Sequence, residues 1–375
     1  MIRTEIVIAF LTLIVIGASL MLFFHLHPQN TPIPEPALAP SSTPAVAAST
    51  TGLILPAVSL EEKIGQLIMI GHWADQPLAS TTDLIANYHL GSVIIMSAPE
   101  VASTTREWVA TWQAVSSSTL LIGVDQEGGP VTRYKDGFIQ TSQREIKDTA
   151  TAYEVGTLRG AELSDLGINL NFAPVLDSAT HPESFMYSRV FPNSSLSAEL
   201  AAAMIEGMKE NGVAAAPKHF PGHPDTSDDS HTTLPTADIT LEELPEHTVI
   251  FTELFAAHTP QALMTAHVLF PKIDGYPATL SPFFLSTYLR DELGYQGVVI
   301  TDDLSMDAID NTWTVEAAAV QAIKAGADIV LLAAEPQSVS SVTQVLLDAV
   351  GAGTLPQTRI DESYDRVLKL KQTID

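Results

Sequence analysis

The chain has 375 residues, enough for one large domain with extensions, and no cysteine, which excludes a disulfide framework and any Cys-based zinc or redox site. Against 44 acidic residues stand only 18 Lys and Arg, and the formal net charge of -26 argues against nucleic acid as a partner, because it repels phosphate backbones.

Ile6–Phe24 (IVIAFLTLIVIGASLMLFF) is apolar and uncharged over roughly the 20 residues that span a bilayer's hydrocarbon core. A cleavable signal usually has a shorter apolar core of about 7–15 residues, so residues 1–26 are expected to form an uncleaved transmembrane anchor. Arg3 alone marks the cytoplasmic side, and Glu5 dilutes it. The expected arrangement is single-pass, with the rest of the chain outside the cytoplasmic membrane. The small-residue run Pro44–Ala48 leaves cleavage, and hence secretion, open. Residues 27–55 are rich in Pro, Ala, Ser and Thr and cannot bury a core, so they read as a tether, with an ordered arm as the alternative. Residues 56–375 read as the folded domain.

From Leu60 onward short apolar runs alternate with longer helical patterns. The runs are Leu67–Ile70, Ser92–Met96, Leu120–Val124, Ile168–Val175, Val213–Ala216, Ala262–Ala266, Gly297–Thr301 and Ile329–Ala333. Between them, segments such as Ala102–Val115, Ile146–Leu166, Leu196–Asn211, Leu241–Ala257, Pro282–Leu293 and Val315–Ala325 repeat apolar residues at helical spacing. Strand alternating with helix implies a parallel sheet, and eight such units predict an α/β fold of the (β/α)8 TIM-barrel type. A doubly wound open sheet is the alternative.

The densest chemistry lies in Lys218–His231, KHFPGHPDTSDDSH, where Pro221, Gly222 and Pro224 predict an ordered loop after a strand. Its residues support three readings: a polar surface loop, a metal site drawn from His219, His223, Asp225 and His231, or acid/base chemistry in which Asp229 orients His231 two residues on. The rest of the chain favours the last. Asp125, Asp177, Lys218, His219, His267, Asp302 and Asp303 each follow a predicted strand, on the face where barrel enzymes build their sites. Asp177 and Asp303 read equally well as helix N-caps. Neither GxGxxG after the first strand nor GxxxxGK[ST] is present. Carboxylates, histidines, lysine and arginine without a cofactor fingerprint point to hydrolysis of a polar substrate. Glycoside cleavage fits, since it needs one carboxylate nucleophile and a second group that gives and takes a proton.

Five stretches carry a family resemblance: GVDQEGGPVTR (Gly123–Arg133), NFAPVLD (Asn171–Asp177), KHFPGHPDTSDDSH, LMTAHVLFP (Leu263–Pro271) and VVITDDLSM (Val298–Met306). From LEEKIGQLIMIG at Leu60–Gly71 to its end, the chain resembles family 3 glycoside hydrolases of the β-N-acetylglucosaminidase type. The resemblance implies a retaining exo-β-N-acetylglucosaminidase acting on cell-wall or chitin-derived sugars, with a β-glucosidase or an inactive wall-sugar-binding protein as alternatives. It implies Asp302 as nucleophile, His231 as general acid/base and Asp229 as its paired carboxylate, with Asp125, Arg133, Arg189, Lys218 and His219 holding the sugar. Asp303 is expected to cap or support the following helix. Pro130 and Pro224 replace residues usual in the family, and MYSRVF around Arg189 departs from its common pattern. No metal or cofactor and no nucleic acid is implied. The expected partners are a carbohydrate and, through the N-terminal helix, a membrane, with a monomeric chain.

Overall fold

The computed structural model describes residues 58–192, 194–224 and 234–374. The expected anchor Ile6–Phe24 and the tether lie outside the described residues, as do Asp225, Asp229 and His231. Among the described residues no helix is long and apolar enough to cross a membrane.

All eight predicted runs form strands: β1 Ile68–His72, β2 Ser92–Ile95, β3 Leu121–Val124, β4 Leu170–Asn171, β5 Ala214–Ala215, β6 Ala262–Met264, β7 Val298–Asp303 and β8 Ile329–Leu332. They pair in parallel in the order β5-β4-β3-β2-β1-β8-β7-β6. The two ends of that series meet. Met264 N donates to Pro217 O at 3.0 Å, Phe220 N to Met264 O at 2.9 Å and Ala266 N to Phe220 O at 2.7 Å. A closed, barrel-like sheet satisfies backbone groups that the open-sheet alternative would leave on two edges.

β4 and β5 are much shorter than their apolar runs. Pro174 and Pro217 lie just beyond them and bring no N–H to a ladder. Helices cover the outside of the sheet. Thr149–Asp165 and Ser197–Lys209 approach closely because a Cβ on Gly156 would lie 2.2 Å from Met204 O, and one on Gly207 2.5 Å from Tyr153 O. Larger side chains would push the pair apart. Helix starts follow the capping rules: Asp148 accepts from Thr151 N, and Ser59 with Glu62 forms a capping box.

A single carboxylate fastens the amino-terminal end of the barrel. Asp328, fully buried just before β8, accepts from Arg290 Nη2 at 2.6 Å, Arg359 Nη2 at 2.8 Å, Arg366 Nη1 at 3.2 Å, Ser363 Oγ at 2.8 Å and Val299 N at 3.0 Å. It thereby joins β7, the π-wound helix Phe283–Glu292 and the helix Gln357–Lys371.

Candidate active site

The carboxyl ends of the strands surround a cavity of about 420 Å³, lined among others by Trp73, Asp125, Glu127, Arg133, Phe185, Arg189, Lys218, His219, Asp302 and Asp303. Six of the expected site residues, Asp125, Arg133, Arg189, Lys218, His219 and Asp302, thus share one cavity. Asp229 and His231 lie outside the described residues.

Lys218, buried after β5, is the hub of its charged wall. Its Nζ lies 2.6 Å from Asp125 Oδ1 and 2.7 Å from Glu127 Oε1. Arg133 Nη2 donates to Asp125 Oδ2 at 2.9 Å, and Arg189 grips Glu127 through Nη2 at 2.8 Å and Nε at 2.9 Å. Burial alone would raise both carboxyls. Lys218 with Arg133 outweighs it at Asp125, and Arg189 with Lys218 at Glu127, so both are held below the usual carboxylate range. Burial would likewise depress Lys218, but Asp125 and Glu127 raise it. The wall thus sets three basic side chains against two carboxylates. Arg133 Nε is buried without a protein partner among the described residues, so this wall retains hydrogen-bonding capacity for a ligand.

Glu127 is a site residue that the sequence reading did not single out. The signal was present in GVDQEGG, since Asp125 and Glu127 are two apart and point to one side if the backbone stays extended.

Asp177 is not a helix N-cap. It is buried, and its Oδ2 accepts from His219 Nδ1 at 2.6 Å while Oδ1 accepts from His223 N at 2.7 Å and His219 N at 3.3 Å. It holds both the imidazole that lines the cavity and the backbone of the following turn. The peptide bond Lys218–His219 is cis, as is Phe220–Pro221. His223, which the metal-site reading included, packs edge-on against Phe185 at 4.9 Å and donates through Nδ1 to Pro224 O at 3.1 Å.

Asp302 owes its direction to an irregularity in β7. Ile300 pairs with Ile329 and Asp303 with Leu331, so three steps on β7 face two on β8, the count of a β-bulge. Side chains take over the displaced ladder bonds: Leu331 N donates to Thr301 Oγ1 at 3.0 Å and Ala333 N to Asp303 Oδ1 at 2.9 Å. Asp302, left between them, is half-buried in the cavity wall and accepts Asp303 N through Oδ1 at 2.8 Å. Asp303 also accepts from Ser305 N and Oγ and from Ala334 N. It fastens β7 to β8 instead of capping a helix, since the turn Asp307–Asp310 has Met306 at its N-cap. His267, buried after β6, donates through Nε2 to Asp303 O at 2.9 Å and supports the same strand end.

A closed parallel barrel whose strand ends gather one half-buried carboxylate, a histidine held by aspartate and a charged wall is the frame of a barrel hydrolase. The sequence profile of the glycosyl hydrolase family 3 N-terminal domain matches residues 59–370. A protein of Idiomarina loihiensis named β-hexosaminidase is 35% identical over 290 residues, 70% of this chain and 87% of that protein. The structure of a family 3 β-N-acetylglucosaminidase from Paenibacillus sp. str. FPU-7 superposes with a TM-score of 0.78 at 38% identity, covering 85% of this chain and 63% of that one. A β-N-acetylhexosaminidase structure from Beutenbergia cavernae gives a TM-score of 0.77 at 30% identity, covering 84% and 99%. The chain belongs to glycosyl hydrolase family 3 and is a glycoside hydrolase.

Proposed function

We propose that the protein is an exo-acting, retaining β-N-acetylglucosaminidase that removes terminal non-reducing N-acetyl-β-glucosaminyl residues from cell-wall or chitin-derived sugars. The observation that carries this reading is the position of Asp302, turned by the β7 bulge into a cavity whose facing wall is built from Asp125, Arg133, Lys218 and His219. Similarity to proteins named for hexosaminidase activity supports the choice of sugar. A cavity of about 420 Å³ lies within the range of small-ligand sites, which supports an enzyme that takes one terminal residue.

In this mechanism Asp302 attacks the anomeric carbon as the bond to the leaving oxygen breaks, and that oxygen takes a proton from His231. Neutral His231 then removes a proton from water, whose oxygen displaces Asp302 and restores the original anomeric configuration. Asp229 orients the imidazole and stabilises its charged form. Asp125, Arg133, Lys218 and His219 hold the sugar, and Arg189 acts partly through Glu127, which it grips with two hydrogen bonds. The test compares release from an aryl N-acetyl-β-glucosaminide and an aryl β-glucoside. Turnover of the first is expected. Preference for the second indicates a β-glucosidase, and sugar binding by folded protein without turnover indicates a binding protein.

The domain is further proposed to lie outside the cytoplasmic membrane, joined to Ile6–Phe24; the length and apolarity of that segment support this. Protease added to intact spheroplasts should digest the domain, and full protection would contradict the placement.

A further inference from the structure

We infer that Tyr276 and Trp313, on the loops after β6 and β7, form an aromatic platform for the leaving-group sugar, the residue next to the one removed. The inference rests on the functional reading above and adds a second subsite to it. The two rings lie 5.6 Å apart, tilted by 40°. They stand on the carboxyl side of the barrel, and neither lines the catalytic cavity itself.

Their position is fixed by the backbone. Leu269 and Pro277 form an antiparallel bridge that folds the loop carrying Tyr276 back on itself, and Ser281 Oγ donates to Asp274 within it. Trp313 N donates to Ile309 O at 2.9 Å, and the next residue, Thr314, caps the helix Val315–Ala325 by accepting from Ala317 N. Tyr276 is nonetheless 36% exposed, more than a residue serving only the core requires.

A second cavity, of about 310 Å³, is lined by Trp313 with its neighbours Asp310–Glu316 and by Glu335. The catalytic cavity is lined by Asp302, Asp303 and Ser305–Asp307 of the same β7 loop and by Ala333 and Ala334, the residues just before Glu335. The two cavities thus draw their linings from successive stretches of the same two loops. A catalytic cavity sized for one terminal residue sends the remaining sugar out over its rim. There the C–H-bearing face of a pyranose can pack on a rigid aromatic ring at small entropic cost, because few rotors must be stilled.

The test uses the full chain and kcat/KM for two substrates, an aryl N-acetyl-β-glucosaminide, which lacks a second sugar, and N,N′,N″-triacetylchitotriose. The expected result is that Tyr276→Ala lowers the ratio of chitotriose to aryl kcat/KM by roughly five- to tenfold, through KM. Trp313→Ala should do the same, and Trp313→Phe, which keeps a ring, should restore most of the ratio. A wild-type enzyme active on both substrates with a ratio unmoved by Tyr276→Ala, or with equal losses on both, overturns the platform alone. Wild-type protein that turns over neither overturns the functional reading and the platform with it.

Discussion

His219 is held by Asp177, Nδ1 to Oδ2 at 2.6 Å, and the carboxylate can only accept, so the proton on that nitrogen is fixed. Nε2 is then the ring's one remaining polar atom, on a residue that lines the cavity. Because the same carboxylate binds the amides of His219 and His223, ring and loop backbone are set together.

Asp177→Asn should therefore impair sugar binding without unfolding the barrel. An amide that presents one donor where two acceptors are needed weakens charge-assisted bonds worth about 1.5–3 kcal/mol, so kcat/KM on the aryl substrate should fall by about 10- to 100-fold. A variant within twofold of wild type would show that His219 needs no such support.

Glu127→Gln should act on stability as well as activity, because it takes from Arg189 the buried carboxylate it grips and from Lys218 one of its two, leaving Lys218 only Asp125. Breaking such a pair from one side costs about 3–5 kcal/mol, measured by urea denaturation. Combined with Lys218→Met, the loss should be clearly less than additive. Strict additivity would mean the two groups are not coupled.

Asp328→Ala makes the converse prediction at the other end of the barrel. Three arginines lose one buried partner, and unfolding free energy should drop by about 3–5 kcal/mol. The kcat of the protein that remains folded should match wild type. A selective loss of kcat with unchanged stability would reverse this assignment.

Mild acid should weaken the fold through histidine. Burial holds His72 down to about 4, and burial also lowers His223, His247 and His267. Between that value and the ordinary histidine value of about 6.5 the unfolded chain binds more protons than the native one, so stability falls as pH falls and is complete above the window. The depressed carboxyls Asp125 and Glu127 keep their contribution above about 4 and lose it only below. The urea midpoint should drop steadily from pH 6.5 to 4.5, and His72→Gln should flatten part of the slope. A midpoint constant over that range would contradict this.

The barrel was readable because every strand is a compact apolar run, from Leu67–Ile70 to Ile329–Ala333, and four of the expected site residues, Asp125, Lys218, His219 and Asp302, closely follow such a run. What was not readable depends on partners distant in the chain. Asp177 looks like a cap until His219, 42 residues on, is placed beside it. Glu127 is one acid among many until Lys218 and Arg189 converge on it. Asp303 supports the end of β8 instead of a helix, and the β7 bulge that aims Asp302 leaves no mark in VVITDD.

Asp302 is proposed to form the glycosyl-enzyme, and this can be read chemically. Incubation with a fluorinated N-acetylglucosaminide that slows release of the sugar, followed by proteolysis and mass spectrometry, reads the labelled residue directly. One covalent sugar is expected on Asp302, and none on Asp302→Asn protein. A label on Asp303, or full turnover by Asp302→Asn without an added nucleophile, would contradict it.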